Sequence, residues 1–184
     1  MSTSIQITEL TPATNVGGLY AQTANSTPIT ATVVETTLID GGVGTLSVPA
    51  NGFQVGDSFS ITMGGIISSA NNEGLQIKVK SGSVILGTTG AVTMPQCNNQ
   101  VWDLEVVFTI RAIGAAGVAS IAVKGQFTYS KDASNAYEGA DFSTINNTTF
   151  NTTIGNTLGI TAQWGSTNAS NSIYSQIFVL SKIY

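Results

Sequence analysis

The feature that most constrains this chain is an alternation of apolar and polar residues with a period of two. Over residues 102–113, Trp102, Leu104, Val106, Phe108 and Ile110 fall on one face, while Asp103, Glu105, Thr109 and Arg111 fall on the other. Successive side chains of a strand point to opposite faces, whereas helical spacing would scatter these charges around the axis. The same alternation marks residues 57–63, where Phe59, Ile61 and Met63 oppose Ser58, Ser60 and Thr62, and residues 75–80, where Leu75, Ile77 and Val79 oppose Gln76, Lys78 and Lys80. Residues 32–39 are rich in β-branched side chains and read as a strand. Further strands are expected at 44–48, 84–86, 91–94, 118–130, 158–164 and 173–184. Asp40-Gly41-Gly42, Pro49-Ala50-Asn51-Gly52, Gly64-Gly65 and Ser81-Gly82 punctuate them as turns. Gly125 lies within a strand pattern and suggests a bulge or the close approach of another backbone. About eight to ten short strands without a helix predict an all-β antiparallel fold, a sandwich or a jelly roll.

The chain has 184 residues, a length that suits one domain. Residues 1–28 are polar and interrupted by Pro12, Gly17-Gly18 and Pro28, which predicts an N-terminal arm or attachment segment ahead of a domain at 29–184. The last strand is apolar on both sides: Ile173, Ile177, Val179 and Ile183 on one, Tyr174, Phe178, Leu180 and Tyr184 on the other. A strand at the surface of a monomeric sandwich needs only one apolar face. The second face therefore calls for another element or an identical subunit, with Tyr174, Phe178, Leu180 and Tyr184 as the candidate subunit contact.

Composition narrows the chemistry. Charged residues make up 9% of the chain, against roughly a quarter in an average soluble protein. Such a surface is poor at electrostatic steering and suits either a secreted or displayed β protein with a neutral surface or, as the favoured reading, a subunit that hides surface in an assembly, where charge is costly to desolvate. With six Lys and Arg and a net charge of -4, nucleic acid is not an expected partner. The close pair Lys78 and Lys80 reads as the solvated face of a strand. There is no His, so the usual general base, the usual activator of Ser or Cys, and a common zinc ligand are missing. The single Cys97 forms no internal disulfide and reads as a small buried side chain. Asp103 and Glu105 share a strand face, but a solvated face balanced by Arg111 accounts for them better than a hydrolytic pair. Asp132, Asn135, Glu138 and Asp141 offer oxygen ligands in a spacing that matches no EF-hand, and read as a polar loop. No catalytic role, metal or cofactor is expected. No segment is apolar enough to cross a membrane as a helix, and the start Met-Ser-Thr-Ser-Ile-Gln lacks a secretory pattern, so synthesis in a cytoplasm without export is expected. Exposed aromatics in polar loops could stack on sugars, with Trp164 and Tyr137 as candidate glycan contacts, which makes a carbohydrate-binding module the alternative reading.

Several phrases carry a family resemblance. They are Tyr20-Ala21-Gln22-Thr23-Ala24-Asn25-Ser26-Thr27-Pro28, then Thr45-Leu46-Ser47-Val48-Pro49-Ala50-Asn51 with Phe53-Gln54-Val55-Gly56-Asp57. Trp102-Asp103-Leu104-Glu105, Phe108-Thr109-Ile110-Arg111 and Gly125-Gln126-Phe127-Thr128-Tyr129 follow in order. Together these phrases resemble the virion proteins of large DNA viruses and bacteriophages whose small jelly roll is of the tumour-necrosis-factor type. That resemblance implies a homotrimer serving as a minor capsid protein, fibre head or surface decoration. It also implies residence in the virion, other capsid proteins as partners and, in some cases, host glycans. Proteins of this kind act by assembling and binding, so the resemblance brings no catalytic residues.

Overall fold

The computed structural model describes residues 17–131 and 136–184. Among the described residues there is no helix, and the strands are β1 (Gly17–Gln22), β2 (Ile29–Thr30), β3 (Thr36–Thr37), β4 (Gly42–Gly44), β5 (Ser47–Val48), β6 (Ser58–Ser69), β7 (Glu73–Ser81), β8 (Val84–Thr88), β9 (Val92–Met94), β10 (Cys97–Ala112), β11 (Ser120–Ser130), β12 (Tyr137–Asn146), β13 (Asn156–Trp164) and β14 (Ser172–Lys182). They form two antiparallel sheets packed as a sandwich. The larger runs β12-β11-β10-β6-β14-β1-β4, with β2 also paired to β14. The smaller runs β3-β13-β7-β8, with β5 on β13 and β9 on β7.

The alternation read from the sequence is the alternation of burial. Trp102, Leu104, Val106, Phe108 and Ile110 of β10 are buried, as are Ile61 and Met63 of β6 and Leu75, Ile77 and Val79 of β7. Ile160, Ala162 and Trp164 of β13, beside β7 in the smaller sheet, are buried as well. A buried indole N–H needs an acceptor. Trp102 Nε1 donates to the Ile66 carbonyl at 3.2 Å and the Tyr174 carbonyl at 3.1 Å, and Trp164 Nε1 donates to the Ile29 carbonyl at 3.1 Å.

Four expectations change in the folded chain. First, β1 lies inside the larger sheet, between β14 and β4, so residues 17–28 belong to the domain and do not form part of a separate arm. Residues 1–16 of the expected arm lie outside the described residues. Second, only Thr36 and Thr37 of the predicted strand at 32–39 pair in a sheet. The threonines there hydrogen-bond the local backbone, Thr32 Oγ1 accepting from Val34 N and Thr37 Oγ1 from Ile39 N, each at 3.1 Å. Such bonds compete with a ladder. Third, Gly125 marks no bulge, because β10 and β11 stay in register from Trp102↔Tyr129 to Ile110↔Ile121. A side chain at Gly125 or at Gly87 of β8 would collide with the ring of Phe142, which is held between these two glycines.

The fourth change governs the last strand. Ser175 of β14 faces Gly65 of β6 and Ile177 faces Gly64, so Gln176 is an extra residue, a β-bulge. The bulge reverses the phase of the strand. Ile173 points inward before it, and Phe178 and Leu180 point inward after it. Ser175 is fully buried at the bulge, and its polar atoms turn to the loops. Its N–H donates to Ser26 Oγ at 2.9 Å, its carbonyl accepts from Ser26 N at 2.9 Å, and its Oγ donates to the Leu38 carbonyl at 2.6 Å. Gly65 is required opposite, since a Cβ there would strike the Tyr174 carbonyl.

The segment before β3 is fastened by charge. Glu35 receives Lys78 and Lys80 of β7 at 2.6 Å each and Thr161 Oγ1 at 3.0 Å. The two lysines are thus partly buried ion-pair partners, not the freely solvated face expected. Their hydrogen bonds, Lys78 first, hold the Glu35 carboxyl at about 2, down from its usual 4.5. A carboxylate whose folded pKa is depressed contributes stability above its unfolded pKa and loses that contribution as pH falls through its folded one. We expect Glu35 to stabilise the protein fully above about pH 4.5 and progressively less down to about pH 2. Urea unfolding of wild type and Glu35→Gln across that range should show a stability gap that narrows as the pH drops. In the same assay at neutral pH, Ser175→Ala should cost about 1–3 kcal/mol, the usual cost of leaving a buried acceptor unpaired, here the Leu38 carbonyl.

Candidate functional site

The outer face of the larger sheet carries the candidate site. Because cross-strand partners share a face, the register defines it directly. Val101 of β10 pairs with Ile66 of β6, and Ile66 with Tyr174 of β14. One row along, Ile177 lies beside Gly64, which lies beside Asp103. In the next row Val179 pairs with Thr62 and with Ala21 of β1, and Ala21 with Val43 of β4. The result is a band of uncharged side chains crossing five neighbouring strands. Its most open members are Val43 at 63%, Val101 at 51% and Ile177 at 51% exposure.

The Asp103 carboxylate leans over Gly64 at the edge of the band, and Glu105 lies one row further along β10. Asp103 and Glu105 of β10 are exposed and border, with Thr62, Gln126 and Thr128, a shallow polar depression of about 250 Å³. No ion pair among the described residues joins them to Arg111. Across β11, Gln126 links Glu105 to Asp141 of β12.

The four residues proposed for subunit contact do not share one surface. Phe178 and Leu180 are buried in the core of the protomer, at 0% and 4% exposure. Tyr174 is half-buried on the outer face, within the band. Tyr184 is exposed at the end of the chain, where its ring comes up against Gly56. The phase reversal at Gln176 explains the mismatch. Ile177 and Val179, assigned by simple alternation to the side of Ile173, face outward with Tyr174. The apolar outward face expected of β14 exists, but its members are Tyr174, Ile177 and Val179. Sequence reasoning named Tyr174 but missed Ile177 and Val179 and their neighbours Ile66, Val101 and Val43. The signal present was the polar pair Ser175-Gln176, which breaks the apolar run of the strand where the bulge falls.

The candidate glycan contacts also separate. Trp164 is buried at 1% exposure with its indole N–H bonded within the protein, so its ring cannot stack on a sugar. Tyr137 is 70% exposed at the start of the edge strand β12. Of the oxygen cluster, Asp132 and Asn135 lie outside the described residues. Glu138 accepts from Lys131 Nζ at 2.6 Å and from the Tyr129 hydroxyl at 3.1 Å. These bonds, Lys131 first, lower the Glu138 pKa, and burial raises that of the Tyr129 hydroxyl. Among the described residues no group of three or more Asp, Glu, Cys or His side chains could hold a metal ion, and Cys97 is buried as a free thiol. Among the described residues no helix is long and apolar enough to cross a membrane.

No family model, curated protein or solved structure matches this chain.

Proposed function

We propose that this chain is a non-enzymatic structural protein of a virus particle, a jelly roll that associates as a homotrimer and forms part of the capsid surface, a fibre head or a surface decoration. The observation that carries the association is the uncharged band of Val43, Ala21, Val179, Ile177, Tyr174, Ile66 and Val101 on the outside of the larger sheet. Contiguous apolar surface of this kind marks a contact with another macromolecule. The low charge of the chain supports the same reading, since a surface of Ser, Thr, Asn and Gly is cheaper to desolvate than one of Lys and Glu.

The strand order supports the jelly roll. The antiparallel pairs β1·β14, β3·β13, β6·β10 and β7·β8 are nested, each enclosing the next along the chain. Nested pairing is what results when one long hairpin winds into two sheets, with β1, β14, β6 and β10 adjacent in one and β3, β13, β7 and β8 in the other. The hairpin of β11 and β12 then extends the larger sheet past β10. The choice of three subunits, of the virion and of capsid proteins as partners rests on the resemblance of the phrases spanning residues 20–57 and 102–129.

Light scattering across a concentration series tests the association. The expected mass is three times the 19.0 kDa of the chain. Ile177→Asp together with Val101→Asp places charge on side chains that are half exposed in the protomer, so the β spectrum should persist while the trimer dissociates. A wild-type monomer at every concentration would overturn the reading, and an undiminished trimer in the double variant would move the contact to another face. Mass spectrometry of purified particles tests the location.

A further inference from the structure

A second feature lies inside the sandwich, at the end where β6 and β13 begin and β7 and β14 finish. It is a cavity of about 260 Å³ between the two sheets. Protein interiors are packed as densely as organic crystals and leave few gaps larger than a water molecule. The cavity is half open to solvent at this end of the sandwich, so a small molecule can enter it without parting the sheets.

Its walls are apolar and aromatic. Phe53 meets Phe59 edge-on with centroids 6.0 Å apart, Phe59 stacks on Phe108 at 4.9 Å, and Phe150 lies 6.0 Å from Phe53. Leu86 and Leu158 complete the wall on the side of the smaller sheet. Phe150 is placed there by the Asn146 side chain, whose Oδ1 accepts from Thr149 N and Phe150 N at 3.0 and 3.1 Å. The Asn- and Thr-rich turn after β12 thus builds one wall of the chamber.

The polar groups lining the cavity determine what kind of molecule it suits. Each of the charged ones already has a partner: Lys182 with Asp57 at 2.6 Å, Lys80 with Glu35 at 2.6 Å. Ser81 Oγ donates to Asn156 Oδ1 at 2.7 Å, and the Asn156 amide donates to the carbonyls of Asn151 and Ile154 at 2.9 Å. An anionic or cationic head group would have to displace one of these ion pairs, at the cost of leaving a partly buried charge unmatched. A neutral head could share the hydroxyls of Ser47, Thr45 or Ser81 without breaking anything. An apolar cavity of about 150 Å³ admits benzene. A chamber of this larger volume then suits roughly ten carbons on the same scale.

We propose that this chamber is a binding site for an uncharged amphiphile with a slender alkyl or aromatic body and a small hydroxyl-like head. The site lies between the sheets and away from the outer band, so it does not depend on the trimer. Full-length protein titrated with 1-octanol in a calorimeter, and melted in its presence, provides the test. Saturable binding and a rise in Tm with 1-octanol are expected, as for any ligand that binds only the folded state. Octanoate and octylammonium should bind at least tenfold more weakly. Leu158→Trp, a half-buried wall position, should fill the chamber and abolish the response while still melting cooperatively. Leu46→Trp gives a second filling from the opposite side if the first variant does not fold. The proposal is overturned if 1-octanol gives no saturable heat, if the filled variants respond like wild type, or if octanoate binds as well as the alcohol.

Discussion

The bulge at Ser175–Ile177 is the constraint on which the arrangement of this sandwich depends. Strand β14 lies between β6 and β1 in the larger sheet, and its residues must serve the core at both ends. A perfect alternation from Ile173 would put Phe178 and Leu180 into solvent. One extra residue, Gln176, restores both to the core and leaves Ile177 and Val179 outside. The cost of a bulge is backbone groups that leave the ladder. Here Ser175 and its neighbours offset that cost. The loop at Ser26 takes its N–H and carbonyl, the Leu38 carbonyl takes its hydroxyl, and the Trp102 indole takes the carbonyl of Tyr174. The bulge thereby ties the loop before β2 and the chain leaving β3 to the centre of the larger sheet.

Charge is used sparingly and locally. Four of the six cations of the chain, Lys78, Lys80, Lys131 and Lys182, are committed to ion pairs with Glu35, Glu138 and Asp57. Two of these pairs fasten loops: Glu35 holds the crossing before β3 against β7, and Asp57 caps the turn at Gln54, whose N–H it accepts at 2.8 Å, while binding Lys182 at the end of β14. Few cations are left to generate a long-range field, so association by this surface would rely on apolar burial and on the hydroxyl and amide groups around it.

Most of the sandwich was legible in the sequence, because period-two alternation is a direct consequence of strand geometry. Strand β10 is the clearest case: each of its inward apolar residues from Trp102 to Ile110 is buried. The misreadings occur where a local interaction overrides the period. At residues 32–39 threonine side chains capture the backbone. At Gly125 the requirement comes from the Phe142 ring, two strand positions that no local pattern connects. At Trp164 aromatic exposure was inferred from a neighbouring polar loop, but the residue is in phase with Ile160 and Ala162, and both are buried. The candidate interface suffered most, since a single inserted residue exchanges the two faces of a strand from that point on.

The band and the chamber share β14 yet remain chemically separate, and the alternation of that strand is the reason. Leu180 and Lys182 border the chamber, while Ile177 and Val179 belong to the outer band. Substituting an inward residue of β14 would disturb the core, the chamber and the path of the band together, and no single effect could be assigned. Outward residues of the strand lie on the band, and Leu158 on the other sheet lines the chamber. The proposed association and the proposed uptake of an apolar molecule can therefore be tested separately by choosing positions on opposite sides of the sandwich, a distinction that follows from the pleat of the sheet and from the one residue that reverses it.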